Sequence, residues 1–147
     1  MDGKFLMLVE DNPDDELLTL RALRQNKVVN DVVVARDGAE ALELLLGSGP
    51  ATADRSRDLP EVVLLDLKLP KLDGLEVLRR LRADERTKFL PVVILTSSKE
   101  EQDLVNGYRL GANSYVRKPV KFEEFAAAVR QLGLYWLVLN EPPPTGV

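Results

Sequence analysis

The chain has 147 residues, 24 acidic against 20 basic side chains, a net charge of −4, no cysteine and no histidine. An acidic balance argues against a nucleic-acid surface, the missing cysteine removes disulfides and thiolate chemistry, and the missing histidine removes Ser-His-Asp catalysis, His-ligated zinc and imidazole acid–base work. No apolar run reaches the roughly 18–20 residues of a membrane span, and "MDGKFLMLVED" lacks the basic-then-apolar plan of a secretory signal, so the expected location is cytoplasmic.

"KFLMLV" (Lys4–Val9) reads as a first strand. "EDNPDD" is turn-like and leads into a helix with Pro13 near its start, acids in its first turn and an apolar face of Leu17, Leu20 and Leu23. "DVVVA" (Asp31–Ala35) is a second strand; after the Asp37-Gly38 turn, Ala41, Leu42 and Leu45 line a second helix that ends at Gly47. Gly47–Pro60 is polar and rich in Gly, Pro, Ser and Asp, a long surface loop rather than a domain boundary. "VVLL" (Val62–Leu65) is the third strand, and a helix after Asp73-Gly74 carries Leu75, Leu78 and Leu81. "PVVILT" (Pro91–Thr96) is the fourth strand, followed by a fourth helix over about Lys99–Leu110 that stops at Gly111. "SYVR" (Ser114–Arg117) is a short fifth strand, and a fifth helix runs from Lys121 to about Leu139, closing a domain over 1–140; "EPPPTGV" (141–147) is a Pro-rich tail. Short, continuously apolar strands alternating with helices predict an open, doubly wound parallel α/β sheet.

In such sheets a site lies at the carboxyl ends of the strands. Those ends carry Glu10-Asp11, Asp66, Thr96-Ser97 and Lys118-Pro119. Taken singly, each has an ordinary explanation: a helix-capping loop for the acid pair, a turn acid for Asp66, an N-cap for Thr96, a solvated lysine for Lys118. Taken together they converge on one edge. Three crowded carboxylates stay ionised when a cation sits among them, and hard oxygen ligands select Mg2+, with Mn2+ or Ca2+ able to take its place. Lysine and threonine then supply positive charge and a donor around a phosphoryl group carried by an aspartate.

These residues, in "LVEDNPDD", "VVLLDLKLPKLDGLEVLRRLR", "PVVILTSS" and "GANSYVRKPV", resemble the receiver domain of two-component response regulators from about Phe5 to Leu132. The resemblance implies a flavodoxin-like fold, five parallel strands in the order 2-1-3-4-5 with five helices. It also implies phosphorylation of Asp66 by a sensor histidine kinase, and a metal held by Glu10, Asp11, Asp66 and the backbone carbonyl of Lys68. Thr96 and Lys118 would contact the phosphoryl oxygens, Thr96 and Tyr115 would form the switch, and the bond before Pro119 would be cis. Pro70 and Gly74 match the loop after the phosphorylation site, while Lys68 and Ser98 stand where the family modulates phosphoryl lifetime. The acid pair is Glu-Asp where many members have Asp-Asp.

"ANSYVRKPVKFEEFAAAVRQLGLYWLVLNEPP" further resembles the single-domain regulators encoded with phytochrome-type histidine kinases. Tyr135, Trp136, Leu137, Val138 and Leu139 extend beyond the expected packed length of the last helix, and an exposed aromatic-aliphatic cluster marks an interface. A homodimer is therefore expected through the fourth helix, fifth strand and fifth helix, using Tyr115, Phe122, Tyr135, Trp136, Leu137 and Leu139. The short tail leaves no room for an output domain, so the output is protein binding or phosphorelay, not enzymatic turnover. Two rivals compete. A receiver-like module that is never phosphorylated is one. The other is a phosphatase of the haloacid-dehalogenase type, which carries a second Asp where this chain has Lys68.

Overall fold

The computed structural model describes residues 5–25, 31–47, 59–70, 72–97, 106, 108–134 and 138–139. In chain order its elements are β1 (Phe5–Val9), α1 (Pro13–Gln25), β2 (Asp31–Ala35), α2 (Gly38–Leu46), β3 (Val62–Asp66), α3 (Gly74–Ala83), β4 (Val92–Thr96), β5 (Ser114–Arg117) and α4 (Phe122–Gln131). The five strands form one sheet in the order β2-β1-β3-β4-β5, and every neighbouring pair is parallel. This is the flavodoxin-like arrangement the alternation predicts. Among the described residues there are four such helices rather than five. The expected helix over 99–110 lies largely outside them, with Asn106, Tyr108 and Arg109 helical. No helix of the described residues is long and apolar enough to cross a membrane.

Strand side chains alternate between the two faces, which sorts the core into two halves. Met7, Val9, Val63, Leu65, Val92 and Ile94 face α2 and α3, joined by Leu42, Leu45, Val77, Leu78 and Leu81. Leu6, Leu8, Val62, Leu64, Val93, Leu95 and Val116 face α1 and α4, where Leu23, Phe125 and Val129 cover them. Both faces are dry, so the central strands are apolar at every position rather than at alternate ones.

Two local expectations are corrected. In α1, Leu17 does not face the core: it is 53% exposed and Leu18 44%, whereas Thr19 and Leu23 are buried. The inward stripe runs through Asp15, Thr19 and Leu23 at spacings of four, so the helix is turned away from the i, i+3 leucine pattern. In the last helix, the extension to Leu139 is interrupted. Gly133 takes φ +72°, its N–H bonds the Arg130 carbonyl at 3.1 Å, and the Leu134 N–H reaches back to the Val129 carbonyl at 2.8 Å. That pair of bonds is a Schellman stop, which needs the left-handed residue glycine supplies. Leu134 and Val138 then fold onto the same core half, with Leu139 packed beside them. Val138, expected in an exposed cluster, is 0% exposed. Tyr135, Trp136 and Leu137, expected at a dimer interface, lie outside the described residues.

Candidate phosphoryl-acceptor site

Strand alternation also builds the site. Glu10 follows Leu6 and Leu8 on the α1 side, Asp66 follows Val62 and Leu64, and Lys118 follows Val116, so all three side chains emerge on one face at the carboxyl end of the sheet. Backbone bonds hold them there: Glu10 N–H donates to the Ala35 carbonyl at 2.9 Å and Lys118 N–H to the Thr96 carbonyl at 2.9 Å. The Lys118–Pro119 peptide is cis.

Asp66 ends β3 and is buried. Its Oδ1 accepts from the Lys68 backbone N–H at 3.1 Å, and its Oδ2 lies 2.8 Å from Lys118 Nζ. The Lys68 side chain itself is exposed in the β3–α3 loop. That loop is drawn tight by Gly74, whose N–H bonds the Leu67 carbonyl at 2.9 Å. A Cβ on Gly74 would fall 2.2 Å from the Asp66 carbonyl oxygen and 2.7 Å from Leu67 Cα, so only glycine lets α3 start directly beneath the reactive strand end.

Lys118 Nζ also lies 2.6 Å from Glu10 Oε1, an ion pair without hydrogen-bond alignment, and 2.9 Å from Asp15 Oδ2. One ammonium thus serves three carboxylates. Burial works against its charge, but the hydrogen bonds from Asp66, Glu10 and Asp15 outweigh it and hold the lysine pKa above its ordinary value. Glu10 shows the strain of the shortage: burial, then its proximity to Asp66, pushes its pKa up to about 7 despite the neighbouring Lys118. A carboxyl oxygen each from Glu10, Asp11 and Asp66 lie within 4.8 Å of one another. Excess negative charge, all-oxygen donors and an exposed side at Asp11 suit a hard divalent cation that keeps open positions.

Thr96 is fully buried at the end of β4. It alternates with Ile94 onto the α2–α3 side, and Ile94 pairs in register with Tyr115 of β5. Thr96 and Tyr115 therefore share a face, opposite the acids. Tyr115 is half-buried against the core, and its ring centroid lies 6.4 Å from that of Tyr108, which is half-exposed. Phe122 opens α4 and is partly buried. Pro70 is exposed and Ser98 lies outside the described residues.

Two contributors escaped the sequence reading. Asp15 is one; its signal, an acid four residues before a buried Thr19 and eight before Leu23, was readable only once the inward stripe of α1 was known. Arg82, at the end of α3, is the other. Its guanidinium donates to the carbonyls of Thr87 (3.2 Å), Leu90 (2.8 Å) and Gly111 (2.7 Å) and to Asn113 Oδ1 (3.2 Å), tying α3 to the segment that enters β5. Burial lowers its pKa.

Against known proteins, the family described as the response regulator receiver domain matches residues 6–130. The probable methanogenesis regulatory protein FilR2 of Methanothrix harundinacea is 40% identical over 97% of this chain and 89% of its own length. Response regulator Rcp1 of Synechocystis is 33% identical over 91% of this chain and 89% of its own. Among solved structures, the bacteriophytochrome response regulator AtBRR superposes with a TM-score of 0.79 at 54% identity, covering 92% of this chain and 96% of that one. The Mn2+-bound form of Rcp1 gives 0.72 at 32% identity, covering 96% and 99%. The phosphorylated cyanobacterial phytochrome response regulator RcpA gives 0.72 at 38%, covering 96% and 98%.

Proposed function

Because the chain belongs to the response regulator receiver family, we propose that it is a single-domain response regulator that accepts a phosphoryl group on Asp66 from a sensor histidine kinase of the phytochrome type. The observation that carries this reading is Asp66 itself, buried at a sheet edge, 2.8 Å from Lys118 and within reach of the Glu10–Asp11 pair. The likeness to bacteriophytochrome regulators, over nearly the whole length of both chains, supports the choice of kinase.

A carboxylate oxygen of Asp66 attacks the phosphorus of a phosphohistidine. A P–O bond forms, the P–N bond breaks, and its electron pair returns to the imidazole, which takes up a proton. Lys118 meets the charge on the phosphoryl oxygens, and Thr96 supplies a hydroxyl donor. Glu10, Asp11, Asp66 and the Lys68 carbonyl would hold Mg2+, which when bound neutralises the remaining charge; Mn2+ fits the same donors, in line with the Mn2+-bound form of Rcp1. The output is a changed protein-binding face. Thr96 shifts toward the phosphoryl group and Tyr115 follows on the shared face. That face also serves a homodimer built from the helix around 106–110, β5 with Tyr115, and the end of the chain with Phe122, Tyr135, Trp136, Leu137 and Leu139. The protein acts in the cytoplasm as a signal carrier rather than as an enzyme with turnover.

Incubation with acetyl phosphate and Mg2+ yields an acid-stable, base-labile adduct on Asp66. No adduct on the native chain, or an undiminished one on Asp66→Asn, refutes phosphorylation at this site. Multiple turnover of a phosphate ester would instead favour an aspartate-nucleophile phosphatase. For the dimer, Trp136→Ala should sediment as a monomer; truncation at Gly133 is unsuitable because it strips Leu134 and Val138 from the core.

A further inference from the structure

Lys118 is held by three carboxylates, from Glu10, Asp15 and Asp66. Two of them, Glu10 and Asp66, also belong to the group of oxygens arranged for a cation. When cation and phosphoryl group occupy the site, both are committed elsewhere. Asp15 is outside that group, so its bond to Lys118 is the one that has no second use. It comes from α1, 103 residues away in sequence, and ties that helix to the segment after β5. Its own placement is firm, since its N–H bonds Asn12 Oδ1 at 3.1 Å and its stripe continues into buried Thr19 and Leu23.

We propose that Asp15 is a positioning residue for phosphoryl transfer: it keeps the Lys118 ammonium aimed at Asp66 while the other two carboxylates change partners. A lysine has four flexible torsions, so an ammonium that has lost its remaining anchor spends much of its time away from the transferring group. The ordinary alternative is that Asp15 is only one more acid in the first turn of α1, beside Asp14 and Glu16, favouring the helix dipole. The proposal rests on Asp66 being the phosphoryl acceptor.

The test is the rate of acyl-phosphate formation from acetyl phosphate at saturating Mg2+, on the full chain, for Asp15→Asn, Asp15→Glu, Lys118→Met and the Asp15→Asn/Lys118→Met pair. Asp15→Asn is expected to slow the reaction about tenfold, the size of one charge-assisted hydrogen bond realised in the transition state. Asp15→Glu, which keeps the charge on a longer arm, should recover the rate to within about threefold. In the Lys118→Met background, Asp15→Asn should change nothing further, because its effect runs through the lysine. Mg2+ affinity should stay within about twofold of the native value, since Asp15 lies outside the cation group. An unchanged or faster rate for Asp15→Asn, or equal slowing with and without Lys118, overturns the proposal. If the native chain forms no acyl phosphate, the phosphorylation reading falls and takes this inference with it. If the native chain reacts and Asp15→Asn is indifferent, only this inference falls.

Discussion

Glu10 makes the stability of the metal-free protein depend on pH in an uncommon direction. Its pKa rises from 4.5 to about 7 because burial and then Asp66 penalise its ionised form. The folded chain therefore binds a proton that the unfolded chain has already released. The stabilisation from that proton is complete below pH 4.5 and is lost as pH climbs through about 7. Integrated over that interval at about 1.4 kcal/mol per pH unit, the loss is about 3 kcal/mol. Mg2+ works in the opposite sense, since it binds the ionised carboxylate. At a concentration of about 100 Kd measured at pH 8, Mg2+ adds about 2.7 kcal/mol. At pH 5 a proton on Glu10 weakens binding about 100-fold, and the same Mg2+ adds only about 0.4 kcal/mol. Urea unfolding at pH 5, 6, 7 and 8, with EDTA and with Mg2+, reads both effects. Glu10→Gln should flatten the metal-free profile between pH 4.5 and 7 relative to the native chain. A Glu10→Gln profile parallel to the native one, or equal Mg2+ stabilisation at pH 5 and pH 8, would refute the assignment of this proton to Glu10.

Two substitutions test the framework around the site. Gly74→Ala forces a methyl group against the backbone of Asp66 and Leu67; because neither wall is a movable side chain, the expected cost is about 2–4 kcal/mol in urea unfolding, and a loss below about 0.5 kcal/mol contradicts the close approach of α3 to β3. Arg82→Met keeps the aliphatic stem but strands the carbonyls of Thr87, Leu90 and Gly111; a loss of about 2–3 kcal/mol is expected, where an ordinary surface arginine would cost little.

The strand ends were legible from the sequence because the chemistry there breaks an apolar pattern. Glu10 after "FLMLV", Asp66 after "VVLL" and Thr96 after "VVIL" each stand where a run meant for a dry sheet stops at a polar group. Parallel order then brings those stops to one edge, so the acceptor, the acid pair and the lysine could be read without coordinates. The orientation of the helices about their own axes could not. In α1 a leucine stripe at spacing three and the observed stripe of Asp15, Thr19 and Leu23 differ by a fraction of a turn, and only packing against Leu6, Leu8 and Leu64 selects between them. That choice places Asp15 on Lys118 and leaves Leu17 in water. The end of α4 is the same kind of case. "LGLYWLVL" is apolar enough to continue a helix, yet Gly133 in the left-handed region turns the chain so that Leu134 and Val138 return to the core. Sequence thus determined which chemical groups meet at the sheet edge, because strand periodicity has only two faces. Tertiary packing decided which helix residues join them, because a helix can present any azimuth and only contact with the sheet settles one.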